Sequence, residues 1–101
     1  LETSGVDPLT GQFDWITLSP KRHRPPRADL LRHCHELKVV IHGTKDLAFA
    51  ESMAAGTGKD TLLLLQPGWE SPDGQQLAVE HARSNPRWRL SLQTHKWLGV
   101  R

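Results

Sequence analysis

Four consecutive leucines, Leu62 to Leu65, run from Asp60-Thr61 to Gln66-Pro67. A strand with one face in water alternates apolar and polar side chains. Thr61–Leu65 has no such alternation, which predicts a strand buried on both faces of a parallel sheet. Pro67 closes the run, because proline cannot donate within a sheet ladder. Parallel neighbours cannot be joined by a tight hairpin and need a crossover, usually a helix. The rest of the chain should therefore alternate between strands and helices.

It does. Leu1 to Gly5 reads as the end of a strand followed by a turn, and Phe13–Leu18 is rich in aromatic and β-branched residues and reads as a strand ending at Ser19-Pro20-Lys21. Arg22–Arg27 is a basic, proline-containing loop. Ala28–Glu36 has the spacing of a short helix, with Leu30, Leu31 and Cys34 on one side. Leu37–Ile41 is a compact apolar strand, and His42-Gly43-Thr44 turns the chain. Asp46–Ala55 is a second helix, closed by Gly56 and Gly58 in the C-terminal glycine position. After a turn of Pro72, Asp73 and Gly74, a third helix runs from about Gln75 to Ser84, and Asn85-Pro86 stops it. The last strand begins at Arg87, with Trp88, Leu90 and Leu92 on one face and Arg87, Arg89, Ser91 and Gln93 on the other. This order predicts α/β architecture built of right-handed βαβ units with a parallel sheet.

The chain of 101 residues is enough for one domain. An apolar fraction of 37% and a mean hydropathy of −0.52 are low for a self-contained core, and Leu1 enters as if in mid-element. Both suggest a piece of a larger unit, or apolar surface hidden against a partner. A net charge of +2 is a mild basic bias, without the clustering on one face that marks a nucleic-acid binder. The single cysteine, Cys34, forms no intrachain disulfide, which fits a reducing cytoplasm. No apolar run approaches the length of a membrane span, and no signal-peptide pattern opens the chain.

Parallel α/β sheets bind ligands at the carboxyl ends of their strands. Here Glu2-Thr3-Ser4, Ser19-Pro20-Lys21, Gln66-Pro67 and Gln93-Thr94-His95-Lys96 all stand at such ends, and only the third strand ends weakly, at His42. One rim would collect a carboxylate, two lysines, two glutamines, hydroxyls and a histidine. That suits a polar small molecule bearing a carboxylate. Lys21 can neutralise an anion, and His95 has the acid–base range of an imidazole. Trp69, beside Gln66-Pro67, belongs near the ligand.

Other motifs carry less. His33-Cys34-His35 places neighbours about 100° apart on a helix, with no second ligand pair at zinc spacing. Ala54–Asp60 lacks the first glycine of a phosphate loop, and Asp60 stands where the magnesium-binding hydroxyl is needed. The basic loop of Lys21, Arg22, His23, Arg24 and Arg27 can touch phosphates, but reads first as a solvated loop.

The strand endings LETSG, WITLSPK, LKVVI, LLLLQP and WRLSLQTHKWLGVR, in this order and at these separations, resemble 7-carboxy-7-deazaguanine synthase. This is a family of radical S-adenosylmethionine enzymes in the pathway to queuosine and other 7-deazapurines. The resemblance covers nearly the whole chain, and the terminal segment is its most specific part. It implies the C-terminal part of a partial, modified TIM-like barrel, usually in a homodimer. The reaction implied is conversion of 6-carboxy-5,6,7,8-tetrahydropterin to 7-carboxy-7-deazaguanine with loss of ammonia. The cofactors implied are S-adenosylmethionine, a [4Fe-4S] cluster and Mg2+. By position, Ser19, Pro20 and Lys21 would contact S-adenosylmethionine, as would Gln66, Pro67, Gly68 and Trp69, with Glu2 and Thr3 bordering it. Gln93, His95 and Arg101 would contact the pterin.

The sequence departs from that family in one large respect. Its cluster is held by three cysteines on a loop after an early strand, and cluster ligation requires thiolates. Cys34 stands alone on a predicted helix, and the magnesium-binding threonine beside the cysteines has no counterpart. The expectation is a C-terminal half whose cluster-binding half lies elsewhere, inactive alone and with an open sheet edge. The alternative is a cluster-free module that binds a pterin, a purine or RNA through the basic loop.

Overall fold

A computed structural model describes residues 1–7 and 15–91. In chain order the elements are β1 (Glu2–Thr3), β2 (Thr17–Leu18), α1 (Ala28–His33), β3 (Glu36–Ile41), α2 (Thr44–Ala55), β4 (Leu62–Pro67), α3 (Pro72–Ser84) and β5 (Trp88–Leu90). Among the described residues the strands form one parallel sheet in the order β1-β2-β3-β4-β5. Spatial order equals chain order, so every crossover steps in the same direction. Right-handed crossovers that all step one way place their helices on one face of the sheet. This is the winding of a barrel wall, not of a doubly wound sheet.

Burial follows from that geometry. Leu18, Leu37 and Leu63 stand in register with Trp88, and all are buried; Val39, Ile41 and Leu65 continue the same face. The helices meet this face through Ala50 and Ala54 of α2 and Ala78 of α3, which are small enough to bring the helix backbones close. Each buried leucine is worth about 1.5–3 kcal/mol relative to exposure. The opposite face carries Thr17, Glu36, Lys38, Val40, Leu64 and Gln66, and no described helix covers it.

The unbroken leucine run therefore does not mark two equally covered faces. Leu63 and Leu65 lie under the helices, whereas Leu62, on the opposite face, is 43% exposed. The first helix ends at His33. Cys34 is already extended with ψ 152°, and Glu36 belongs to β3. Only Thr17–Leu18 of the expected second strand pair as a strand; Phe13 and Asp14 lie outside the described residues. Gly56 closes α2 with φ −92° and ψ −2°, a right-handed rather than left-handed cap. The residues read as a turn at 72–74 are the first turn of α3. Ser71 Oγ accepts from the Gly74 N–H at 3.1 Å, and Pro72 takes the first helical position, where its missing N–H costs nothing.

Candidate functional site

The carboxyl ends of β2 and β3 enclose a hollow of about 340 Å³, within the range of small-molecule sites. Ser19, Pro20 and Lys21 form one wall, Lys38, Val39 and Val40 another, and His42, Asp46 and Phe49 the side toward α2. The SPK segment stands where strand-end logic places it. Arg22 and His23 complete the lining.

Register explains the polar cluster beside this hollow. Glu2, Thr17 and Glu36 are cross-strand partners on the open face, and Ser19 and Lys38 are each two residues further toward the rim. Thr17 Oγ1 donates to Glu36 Oε1 at 2.8 Å. Ser19 Oγ donates to Glu2 Oε2 at 2.7 Å, and Lys38 Nζ lies 3.1 Å from the same oxygen. The Ser19 hydroxyl, and after it the Lys38 ammonium, hold the Glu2 carboxyl below the usual carboxylate range. Glu2 thus joins the first three strands.

Thr3 is occupied locally. Its Oγ1 accepts from Gly5 N–H at 3.1 Å, and its carbonyl accepts from Ser19 N–H at 2.7 Å. Gly5 has φ 78°, and a Cβ there would lie 2.5 Å from Leu18 Cδ1, so both backbone and space require glycine. The ETSG turn is built to seat β1 beside β2.

At the end of β4, Gln66 is 6% exposed, and its Oε1 has no donor partner among the described residues. A buried acceptor left unpaired costs about 1–3 kcal/mol. Among the described residues it is an unpaired acceptor, which a ligand N–H can satisfy. Gly68 N–H donates to the Ile41 carbonyl at 2.9 Å, and a Cβ on Gly68 would collide with the His42 ring. Trp69 is 52% exposed. Gln66, Pro67, Gly68 and Trp69 share the rim with the SPK segment but do not line the 340 Å³ hollow. Gln93, His95 and Arg101 lie outside the described residues.

Lys38, Asp46 and Phe49 were not singled out by sequence reasoning. LKVVI reads as an apolar block, and its one lysine was the available signal. Asp46 Oδ2 accepts from the His42 and Gly43 N–H groups at 2.9 and 3.2 Å, while Oδ1 pairs with Arg22 Nε at 3.3 Å. This carboxylate ties the basic loop to the start of α2. Arg27 pairs with Asp29 at 3.1 Å. Two of the basic loop's arginines are therefore engaged.

The other end of the sheet is different. Trp15 stacks on His35 with ring centroids 5.1 Å apart, and His35 Nδ1 accepts from the Ile16 N–H at 3.0 Å. Cys34 is buried, its Sγ donates to the Leu31 carbonyl at 3.3 Å, and burial pushes the thiol's pKa up. That is the opposite of a ligating thiolate.

No protein-family model matches the chain. An enzyme of Prochlorococcus marinus is 54% identical over 116 residues, covering 99% of this chain and 52% of that protein. Its counterpart in Synechocystis is 48% identical, covering 100% of this chain and 49% of that protein. Both bear one name. The chain is homologous to part of the 7-carboxy-7-deazaguanine synthases. It spans about half the length of these curated relatives. The fold agrees: the crystal structure of QueE from Escherichia coli superposes with a TM-score of 0.79 at 26% identity, over 91% of this chain and 43% of that one. The parallel α/β sheet expected from the sequence is thus shared with a solved structure. The 7-carboxy-7-deazaguanine synthases are named for a product.

Tested against the cofactors that the family implies, the residues divide. The rim carries polar groups of the kind that S-adenosylmethionine would need: Ser19 and Lys21 line a small-molecule-sized hollow, and the Gln66 acceptor, unpaired among the described residues, stands on the same rim outside it. The described residues do not fit an iron–sulfur cluster, because Cys34 is their single cysteine, is buried, and has its thiol pKa pushed up by that burial. No group of three or more His, Cys, Asp or Glu among them is placed to hold a metal ion.

Proposed function

We propose that this chain is the C-terminal half of a 7-carboxy-7-deazaguanine synthase and supplies the S-adenosylmethionine and substrate wall of its site. The observation that carries this is the buried Gln66 acceptor, unpaired among the described residues, on the same rim as the SPK hollow. The complete protein would convert 6-carboxy-5,6,7,8-tetrahydropterin to 7-carboxy-7-deazaguanine with loss of ammonia, as a homodimer in the cytoplasm. S-adenosylmethionine would supply the radical chemistry when bound, together with an iron–sulfur cluster held by residues outside those described. The residues here bind and orient.

In this reading Ser19 and Lys21 contact S-adenosylmethionine through hydroxyl and ammonium donors. Gln66 accepts from one of its N–H groups, and the Pro67-Gly68-Trp69 segment forms the adjoining wall. Gln93, His95 and Arg101 serve the pterin. The cluster and Mg2+ ligands belong to the other half, so this half alone forms no product. The basic loop supports an RNA-binding module poorly, since Arg22 and Arg27 are already paired with Asp46 and Asp29.

Anaerobic reconstitution of the complete reading frame with iron, sulfide, Mg2+, S-adenosylmethionine and the tetrahydropterin tests the proposal. Formation of 7-carboxy-7-deazaguanine is expected. Its absence from a fully iron-loaded protein would overturn the proposal.

A further inference from the structure

Lys38 is the one lysine in the expected apolar strand β3, and its side chain is 19% exposed. It lines the strand-end hollow together with Ser19 and Lys21. A lysine of limited exposure on a strand interior costs solvation, and a surface salt bridge alone returns little. Its placement is set by Glu2 across two strand spacings: Lys38 Nζ and Ser19 Oγ both meet Glu2 Oε2, at 3.1 and 2.7 Å. An ammonium has three N–H donors, so the Glu2 contact leaves donors for a ligand.

The charge that lines the hollow is positive in sign. Lys21, Arg22, Lys38 and Asp46 line the hollow, with Arg22 paired to Asp46 and Lys38 paired to Glu2 beside it. Among the described residues that line the hollow, three cationic side chains stand against the single carboxylate of Asp46, which favours an anionic ligand. The apolar sides of Val39, Val40 and Phe49 lower the local dielectric and strengthen that attraction.

We infer that Lys38 is the receptor for a ligand carboxylate in the strand-end hollow, and that Glu2 is the positioning residue holding Lys38 and the Ser19 hydroxyl toward it. The inference rests on the functional reading above and deepens it. That reading brings two carboxylates to the rim, one on the amino-acid part of S-adenosylmethionine and one on the pterin acid. Lys38 binds one of them as a point charge, with Ser19 as a neighbouring donor.

Equilibrium binding to the complete protein distinguishes the sources. Two ligand pairs are compared: S-adenosylmethionine with its decarboxylated form, and 6-carboxypterin with 6-hydroxymethylpterin. Lys38→Met should weaken the carboxylate member of one pair about tenfold or more and leave its descarboxy partner nearly unchanged. The pair that responds identifies the carboxylate. Lys38→Arg should keep most of the preference. Glu2→Gln should lose part of it, with the loss confined to the carboxylate ligand, which a merely structural role would not produce. Where Lys38→Met does not fold, Lys38→Gln, which removes the charge but keeps a donor for Glu2, carries the same comparison.

Equal losses for both members of each pair, or no loss, overturn the assignment while the functional reading stands. A wild-type protein that binds neither S-adenosylmethionine nor 6-carboxypterin overturns both.

Discussion

The indole Nε1 of Trp88 donates to Glu51 Oε2 at 2.7 Å, fastening β5 to α2 across the intervening α3. His81 of α3 brings its Nε2 to the same oxygen, also at 2.7 Å, and its ring lies edge-on to Trp88 at 6.2 Å. One carboxylate oxygen therefore joins two helices to a strand at the end of the described sheet. Trp88 is buried at 4% exposure, so its N–H depends on this acceptor.

Glu51→Ala strands that buried donor and should cost about 1–3 kcal/mol of stability. Glu51→Gln keeps a neutral acceptor and should cost less. Thermal unfolding of the complete protein ranks the two. Equal melting temperatures for wild type and Glu51→Ala would show that the clasp is dispensable.

Gly5→Ala should destabilise by more than about 1 kcal/mol, because alanine disfavours φ 78° and its Cβ would overlap Leu18 Cδ1. The damage should reach the site, since Ser19 N–H bonds the Thr3 carbonyl beside the turn. A denaturant midpoint unchanged by the substitution would argue against a tight ETSG turn.

The acid limb of stability carries a signature of Glu2. Its folded pKa is depressed, first by the Ser19 hydroxyl and then by Lys38. A depressed carboxyl contributes stability above its unfolded pKa, near 4.3, and loses it as pH falls through the lower folded value. Ser19→Ala should therefore lower stability at neutral pH and narrow its gap to wild type below about pH 4. A gap that stays constant from pH 7 to pH 3 would exclude the linkage.

Cys34 should resist thiol reagents at neutral pH, since it is buried, bonded to the Leu31 carbonyl and raised in pKa. Labelling should track unfolding. Cys34→Ala should leave the iron content of the reconstituted complete protein unchanged, and a loss of iron would make Cys34 a ligand after all.

Much of the architecture was legible because its signals are local. Strand-ending prolines at Pro20 and Pro67 and the apolar runs before them gave the βα order. Chain order then led to one rim for Ser19, Lys21 and Gln66. The start of α3 was misread because Pro72-Asp73-Gly74 has turn composition, while the Ser71 cap and the proline at the first helical position mark a helix start. Leu62 was misread because an unbroken leucine run does not reveal that all helices cover one face. Lys38 was passed over for a deeper reason. Its contact with Glu2 spans three strands and depends on register, and register is fixed by pairing rather than by either segment alone.

Hydrogen–deuterium exchange of the complete, reconstituted protein with and without S-adenosylmethionine tests the location of the site directly. Protection should appear in peptides containing Ser19–Lys21, Lys38 and Gln66–Trp69, at the carboxyl ends of β2, β3 and β4. Protection confined to Trp15, Arg32–His35 and Gly58–Thr61, around the hollow at the opposite end of the sheet, would contradict the assignment.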